Sequence, residues 1–370
     1  MSTAWVVLQP LDVLTFRDGR PFSAGLTALA RSTFPRPTST GGAIKALFGA
    51  EPARIHGPLL ADVGPPAALL LPAPADIVVD RVSGAARRLH PDDLPEHDPG
   101  VAGLVCDLDG VDSVNGPGRL RLPHGSGEPA QAFLDTDALG RYLAGDPADA
   151  LDTLSGGGAA TAPERLVSER RVGLARHARS HTAGRTAVPG FLYLAEFLRF
   201  PPAGEDRIGF ACRVEFDDRV PAPRTDVVRF GGEGRQARVT VWSSDEDRSG
   251  EPGGQGGPGE PLSLPDPPPD VSDGRVLLYL ASPAVFTGGW MPPLDSGARL
   301  VAACVTGPEP VASQAFRLRW AVAAGSVYFL QFTTGPAASR FVETYHNTCL
   351  PQAHERLRTV GFGLCLTGRW

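Results

Sequence analysis

The chain has 370 residues, of which 42% are hydrophobic and 21% charged, and its formal net charge is −6. This composition is typical of a globular protein, and the length favours two domains over one. The acidic charge argues against a freestanding nucleic-acid binder, which is usually basic over its whole domain. The sequence has neither an apolar run long enough to span a bilayer nor a signal-peptide pattern, so a cytoplasmic protein is expected.

The first predicted elements follow the order strand, turn, helix. Apolar residues over 4–16 alternate and then run together, which predicts a strand, and the RDGRPF that follows predicts a turn. FPRPTSTGGAIKALFG predicts an extended arm and then a helix, which Thr38, Ser39 or Thr40 would cap.

The middle of the chain reads as a long insertion and then strands. Residues 52–160 are rich in Pro, Gly and Asp and show little periodicity, which predicts a loop with short helices near 135–143 and 148–154. A basic stretch at 165–185 follows it. Strands are predicted at the end of this region, over 190–200, 207–216 and, after a glycine-rich turn, 235–242.

The second half begins with a low-complexity run of Gly, Pro and acidic residues at 243–274, which predicts a flexible linker. The apolar segments beyond it predict four strands, then a helix at 337–349, then a last strand at 359–370. Both halves fit a degenerate βαββαβ order. The predicted fold class is therefore α+β, with two tandem ferredoxin-like domains at 1–244 and 275–370, joined by a linker at 245–274.

Cysteine and histidine usage gives little sign of a metal. Five cysteines are scattered without a CxxC pair, so reduced and mostly buried thiols are expected. The closest approach to a metal site is His346, Cys349 and His354. No second pair of ligands accompanies this trio, so an ordinary helix end is the better interpretation, and neither a metal nor a cofactor is predicted.

Fragments spread over the whole chain resemble one family and occur in that family's order. They are PLDVLTFRDGRPFSAG, STFPRPTSTGGAIKALFG, ERRVGL, GFLYLAEFLRF, FGGEGR, LYLASPAVFTGGW, AVAAGSVYFLQF and GFGLCLTGRW. They are similar to the third-subunit family of the type III-B (Cmr) CRISPR effector complex, within the RAMP superfamily. One departure is that the family's VPAGSVY appears here as VAAGSVY, with Ala323 at the position of the proline. The gaps at 52–164 and 243–274 look private to this chain.

The resemblance implies two ferredoxin-like (RRM-like) RAMP domains with large loop insertions, the first at about 52–164. It implies a non-catalytic, RNA-binding subunit that holds the 5′ tag of the crRNA in a cytoplasmic ribonucleoprotein for antiviral defence. The implied partners are the crRNA, the large polymerase/cyclase-like Cas subunit, the backbone RAMP subunit and, indirectly, target RNA, with no membrane. Two alternatives stay open: a RAMP-type guide-RNA-processing endoribonuclease, for which His177 or His181 could be the base, and a purely structural adaptor.

The turn after the first strand is the sharpest candidate for an RNA contact. Arg17 and Arg20 flank Asp18 there, the arginine forks suit phosphate oxygens, and Phe22 could stack on a base. The alternative is an ion pair of Asp18 with an arginine that simply holds the turn.

The predicted helix start is a second candidate. Gly41 and Gly42 could offer amide groups to a phosphate, with Lys45 one turn further on, although the spacing is not that of a P-loop. A plain capped helix is the alternative.

The basic stretch is a third candidate, interpreted as a loop along the RNA backbone. It contains few aromatic residues, which favours contacts with phosphates over reading of bases, and a solvated charged loop is the alternative. The arginines predicted to bind RNA are Arg170, Arg171, Arg176 and Arg179.

Glycine-rich turns and one tryptophan complete the candidates. Gly232 and Glu233 are predicted to face a partner protein, and Gly361 and Gly363 to approach RNA, unless these turns only need positive φ. Trp290 is predicted as an interface anchor, with core packing as the alternative. No catalytic residue is predicted.

Overall fold

The computed structural model describes residues 2–17, 29–64, 67–91, 120–121, 127–155, 166–176, 187–200, 208–243, 262–294, 297–312 and 318–370. Within these residues the fold is mixed α+β and strand-rich, with several antiparallel sheets and few helices. The α+β prediction is confirmed at this level. None of the helices in these ranges is long and apolar enough to cross a membrane.

The elements are numbered in chain order. The first part of the chain contains β1 (Ser2–Pro10), β2 (Leu29–Ala30), α1 (Pro37–Phe48), β3 (Arg54–Asp62), β4 (Ala68–Pro72), β5 (Ile77–Val79), β6 (Ala86–Arg88), β7 (His90–Pro91), β8 (Leu120–Arg121), β9 (Glu128–Pro129), β10 (Phe133–Asp135), α2 (Thr136–Leu143) and α3 (Ala148–Leu154). The rest contains β11 (Val167–Arg176), β12 (Ala187–Arg199), β13 (Ile208–Phe216), β14 (Val227–Arg229), β15 (Gln236–Ser243), β16 (Arg275–Leu280), β17 (Ala298–Cys304), β18 (Glu309–Ala312), β19 (Leu318–Ala321), β20 (Val327–Phe332), α4 (Gly335–Tyr345), β21 (Thr348–Cys349), α5 (Glu355–Thr359) and β22 (Leu364–Gly368).

The chain divides into two compact units that interleave in the sequence. The first consists of Met1–Ala67, Pro163–Pro261 and Glu309–Trp320, and the second of Ala68–Ala162, Leu262–Pro308 and Ala321–Trp370. This division differs from the predicted one, which follows the chain linearly and places the insertion in the N-terminal domain.

The first unit is built on an antiparallel sheet in which strands lie in the order β3, β13, β1, β15, β14. Apolar side chains of β1 such as Val6 and Leu8 are fully buried. Helix α1 brings Phe48 edge to face with Phe216, with ring centroids 5.2 Å apart. Strand β3 corrects the prediction that residues 52–160 are loop. Its apolar run, broken by Gly57 and Pro58, lacks the strict alternation of a half-buried strand because the strand is buried on both faces.

A second, three-stranded sheet of this unit contains the long hairpin β11–β12, with β2 parallel to β12. The prediction that the basic stretch is a loop is wrong for residues 167–176, which form β11. The strand was not apparent because Arg and Glu occupy both faces of an exposed ribbon, so no hydrophobic alternation marks it.

The second unit is built on a sheet in the order β17, β20, β16, β22, β21. Its core contains the buried residues Leu278, Leu330 and Phe341, and α4 contributes Phe341, whose ring centroid lies 5.1 Å from that of Phe332. The strands, helix and final strand predicted for residues 275–370 are therefore confirmed in order, although the helix ends at Tyr345, before β21, and the last strand covers only Leu364–Gly368.

Most of the predicted insertion, Ala68–Ala162, belongs to this second unit. Hydrogen bonds join it to the C-terminal strands: the Tyr279 hydroxyl donates to the carbonyl of Pro72 at 2.7 Å, and the Arg369 amide donates to the carbonyl of Leu143 at 2.8 Å. The two predicted helices, now α2 and α3, are confirmed.

Residues 262–274 correct the prediction of a flexible linker, whereas 244–261 lie outside the described residues. Burial recurs at every third position up to the turn at 271–274, namely at Leu262, Pro265, Pro268 and Val271. This is the three-residue period of a polyproline II helix, so one side of a proline-rich segment packs on the unit. The prediction of a linker was based on amino-acid composition, which does not reveal the three-residue period.

Leu262→Ala is expected to lower the free energy of unfolding by about 2–3 kcal/mol, since its side chain is only 4% exposed. The exposed neighbour Ser263→Ala is the matched control and should cost little. Chemical denaturation of the three proteins tests this, and equal midpoints for Leu262→Ala and the wild type would show that the segment does not pack. Replacing residues 244–261 with a short Gly/Ser stretch should leave the midpoint unchanged.

Candidate nucleic-acid interface

Arg17 lies at the end of an extended segment that follows β1. The segment is held by Thr33, whose amide donates to the carbonyl of Phe16 at 2.8 Å, and Arg17 lies opposite Ser32 in an antiparallel bridge. Its side chain is exposed. The other residues predicted for this turn lie outside the described part of the chain: Asp18, Arg20 and Phe22.

The turn between β14 and β15 packs against the same segment. The Gly232 amide donates to the carbonyl of Thr15 at 2.8 Å. Positive φ angles occur around it, at Gly231 (97°), Glu233 (57°) and Gly234 (71°). The turn therefore needs glycine for its backbone conformation, and the predicted protein contact of Gly232 and Glu233 stays a prediction.

The arginines predicted in the basic stretch are ion-paired on the β11–β12 hairpin, Arg170 with the facing strand and Arg171 within its own strand. Arg170 Nε lies 3.3 Å from Glu196 Oε1, and Arg171 Nε lies 2.6 Å from Glu169 Oε1. Arg199, which sequence reasoning missed, pairs with Glu169 as well. The hydrogen bond from Arg171 lowers the pKa of the Glu169 carboxyl. Arg176 ends β11, and its side chain and Arg179 lie outside the described residues.

The hairpin, the turn and the β1 segment converge on the buried ring of Phe197. The guanidinium groups of Arg171 and Arg235 lie 5.0 Å and 5.2 Å from its centroid. Arg235 Nη1 also lies 2.6 Å from Asp12 Oδ2. Bonding to the Val13 amide and then the charge of Arg235 lower the pKa of Asp12.

These arginines carry fixed, largely neutralised charge on and beside the two faces of the hairpin, because the successive residues Arg170 and Arg171 of β11 point to opposite faces. Among the described residues, Arg170, Arg171, Arg199 and Arg235 share the three carboxylates Asp12, Glu169 and Glu196. The carboxylates hold the guanidinium groups in place, and a phosphate would bind by taking over some of their hydrogen bonds. We call the four arginines the hairpin arginine cluster.

Helix α1 corrects the predicted helix start. The helix begins at Pro37, a residue suited to the first helical position, and the N-cap Arg36 makes no side-chain capping bond. Gly41 and Gly42 therefore lie in the second turn, where amide groups bond within the helix. Lys45 pairs with Glu51, with Nζ and Oε2 2.8 Å apart.

Gly361 and Gly363 lie in a buried loop that is hydrogen-bonded to its own unit. Both have positive φ, 110° and 74°. The Gly363 amide donates to the carbonyl of Pro283 at 2.8 Å, and the Gly361 carbonyl accepts from the Ser282 hydroxyl at 2.7 Å. The loop thus closes the second unit's sheet, and its contact with RNA stays a prediction.

Trp290 is partly buried against the core of the second unit. Its carbonyl accepts a hydrogen bond from the Tyr328 hydroxyl at 2.6 Å. Core packing, the alternative stated for this residue, therefore accounts for part of its side chain, and the interface role stays a prediction.

The histidine of the candidate metal trio has other partners. His346 Nε2 donates to the carbonyl of Pro265 at 2.9 Å, and its Nδ1 accepts from the Thr367 amide at 3.1 Å. In the described part of the chain, no three His, Cys, Asp or Glu side chains are grouped as a metal ion would require.

Stability is expected to fall as the pH drops below about 6.5, because burial lowers the pKa of His346 from that value. The unfolded chain then binds a proton that the folded chain does not, so the stabilisation present above pH 6.5 is lost on acidification. Protonation at Nδ1 also breaks the bond from the Thr367 amide. Burial also lowers the pKa of His56, so this residue likewise contributes stability that is lost as the pH falls.

Thermal melts from pH 7.5 to pH 5 test this expectation, over a range chosen about the ordinary pKa of histidine. His346→Gln can keep both hydrogen bonds without titrating, so its melting temperature should depend less on pH. The exposed His90→Gln serves as the control. If the melting temperature of His346→Gln depends on pH as steeply as that of the wild type, the pH dependence comes from other groups.

A buried polar network in the insertion was not predicted from the sequence. Asp76 is fully buried, its Oδ1 accepts from the Tyr142 hydroxyl at 2.6 Å, and its Oδ2 lies 2.9 Å from Arg88 Nε. The Arg88 guanidinium also lies over the Tyr142 ring, 4.5 Å from its centroid. Burial raises the pKa of Tyr142, so the phenol stays protonated as the donor.

The described residues thus define a strand-rich α+β protein with ion-paired arginines on and beside one hairpin. The model of the family described as CRISPR-associated protein (Cas_Cmr3) matches residues 6–370, so the chain belongs to this family. The resemblance seen in the sequence fragments is confirmed by this match.

Two solved structures are similar to the chain over nearly its whole length. A chain of the "Cryo-EM structure of the Type III-B Cmr-beta bound to cognate target RNA" is 14% identical, with a TM-score of 0.47, and the match covers 98% of this chain and 96% of that one. A chain of the same complex "bound to cognate target RNA and AMPPnP, state 1" is 12% identical, also with a TM-score of 0.47, covering 97% and 94%. No curated protein sequence matches.

Proposed function

We propose that this chain is a non-catalytic, RNA-binding subunit of a type III-B CRISPR effector complex. In this proposal it holds the 5′ tag of the crRNA and docks the large polymerase/cyclase-like subunit and the backbone RAMP subunit. The observation that carries the proposal is the family match over residues 6–370.

The sheets support the finer part of the fold prediction, two tandem ferredoxin-like units. Numbering the four main strands of each unit in chain order, both sheets have the spatial order 2-3-1-4, as β3-β13-β1-β15 and as β17-β20-β16-β22. This is the strand order of a βαββαβ unit. In the first unit, α1 is the first helix of this order, and the second helix is missing because residues 217–235 contain only the strand β14. In the second unit, α4 is the second helix, and the described residues contain no first helix.

The hairpin arginine cluster supports the RNA-binding part of the proposal. Arg170 and Arg199 are 63% and 50% exposed, so their guanidinium groups can reach a ligand. Because the cluster is nearly neutral, we expect it to bind a few phosphates through short-range hydrogen bonds and not to attract RNA through a long-range positive field. Such a contact suits a chain that is acidic overall.

A guide-processing endoribonuclease is less well supported. It needs an accessible base. Among the described histidines, only His90 and His354 are exposed, and neither lies in the basic stretch, whereas His56 is buried and pairs with Glu215 at 2.8 Å and both ring nitrogens of His346 are hydrogen-bonded. His177 and His181 lie outside the described residues.

Co-purification tests the proposal. The tagged chain, expressed with its genomic neighbours, should bring down the large subunit, the backbone subunit and RNAs that share one 5′ sequence. A chain recovered without partners or RNA contradicts the proposal. Recovery of the partner proteins with RNA that never crosslinks to this chain supports a structural adaptor, and cleavage of repeat RNA by the isolated chain supports the nuclease.

A further inference from the structure

Phe34 is a partly exposed aromatic ring on a fixed segment of backbone. Its side chain is 41% exposed, and the ring rests edge to face on the buried ring of Phe210, with centroids 6.2 Å apart. The preceding Thr33 is bonded to the Phe16 carbonyl, and the following Pro35 is buried and has a restricted φ. The ring is therefore positioned before any ligand binds, which reduces the entropy lost on binding.

The chain around Phe34 is positively charged. Residues 19–50 contain no Asp or Glu, although the whole chain has a net charge of −6. The cations in this stretch are Arg20, Arg31, Arg36 and Lys45. The first turn of α1, which begins three residues after Phe34, likewise has no acidic side chain. One carboxylate from another part of the same unit interacts with this stretch, since burial raises the pKa of Glu309 and the charge of Arg36 opposes that rise.

Two exposed arginines lie close to Phe34 along the backbone. Arg17 is opposite Ser32 in the antiparallel bridge, and Arg31 is the preceding residue. Phe34 follows Ser32 by two residues, which span at most about 7 Å. An aromatic face beside arginines is the arrangement that binds single-stranded nucleic acid, because the base stacks while the cations hold the phosphates.

We propose that Phe34 stacks on a base of single-stranded RNA whose phosphates bind Arg17 and Arg31. The proposal rests on the proposed function and deepens it, since it names a residue that contacts a base. The hairpin arginine cluster, in contrast, is proposed to contact phosphates alone. Stacking on a phenyl ring is sequence-tolerant, so this contact grips the guide without reading its sequence.

The test is the rate at which labelled guide RNA leaves the assembled complex. Phe34→Leu keeps apolar area but loses the aromatic face, and it should raise this rate about tenfold, whereas Phe34→Tyr should stay within about twofold of the wild type. Trp320→Leu removes another exposed aromatic residue beside an arginine, is the matched control, and should have the wild-type rate. Melting temperatures of all variants should agree, because Phe34 is not a core residue.

The outcomes separate this proposal from the proposed function. A wild-type rate for Phe34→Leu together with a raised rate for Arg17→Ala overturns stacking and leaves the RNA-binding role standing. Loss of a partner subunit from the Phe34→Leu complex, with guide still bound, shows that Phe34 docks a protein and also overturns stacking. Absence of guide from the wild-type complex contradicts the proposed function itself.

Discussion

Arg88→Met is expected to lower the free energy of unfolding by about 3–5 kcal/mol, the largest effect on stability anticipated here. The substitution leaves the Asp76 carboxylate buried without its cationic partner, and both side chains are at most 6% exposed. Burial already raises the pKa of Asp76, and the Arg88 charge opposes that rise, so loss of the arginine forces the carboxyl to take up a proton or the region to open. Chemical denaturation measures the change.

Two further variants decide between a charge effect and simple loss of packing. Combining Asp76→Leu and Tyr142→Phe with Arg88→Met removes the polar groups together, and it should recover much of the lost stability. Arg81→Met breaks the exposed ion pair with Glu128 in the same insertion and should cost less than about 1 kcal/mol. Equal losses for Arg81→Met and Arg88→Met would contradict the special role of the buried network.

Replacing both Arg170 and Arg171 with Ala is expected to reduce guide RNA retained by the assembled complex by about tenfold to hundredfold. Each substitution removes a charge-assisted hydrogen bond to phosphate worth roughly 1.5–3 kcal/mol, and part of that is recovered because Glu196 and Glu169 return to water. The dependence of binding on salt should become shallower in proportion to the number of phosphates that the variant no longer neutralises. Titration of guide RNA at several salt concentrations measures both effects.

Arg340→Ala is the matched control, an exposed arginine on α4 in the other unit, and it should retain normal guide. Arg170→Lys with Arg171→Lys keeps the charge but loses the planar fork, so an intermediate reduction is expected. Normal retention by the double alanine variant would exclude the hairpin arginine cluster as a phosphate contact. Early melting of that variant would show instead that the ion pairs stabilise the hairpin.

The sequence predicted elements well where apolar periodicity matched burial. Residues 276–280 and 327–330 are continuous apolar runs, and both lie in buried strands. It failed for β11, whose two faces carry charged and apolar residues alike, and for β3, where Gly57 and Pro58 interrupt a buried run. In these strands tertiary pairing outweighs local pattern.

The candidate site was predicted in residue types more than in geometry. Arg170 and Arg171 were singled out as cations, but the pairing of Arg170 with Glu196 could not be foreseen, because it depends on the register of the hairpin. Glu169, two residues before Arg171 on the same strand, was a partner that the sequence alone could have suggested. Gly41 was misplaced because Pro37 starts the helix earlier. The third-residue spacing of Leu262, Pro265 and Pro268 was a detectable signal, but only a search at period three reveals it.

Photocrosslinking of the guide's 5′ tag in the assembled complex tests the central claim most directly. Guide RNA carrying 4-thiouridine in the tag is irradiated, and the crosslinked peptides are identified by mass spectrometry. The account predicts crosslinks to this chain, in the segment 29–36 or in the hairpin arginine cluster. Crosslinks from the tag to the other subunits alone would contradict it.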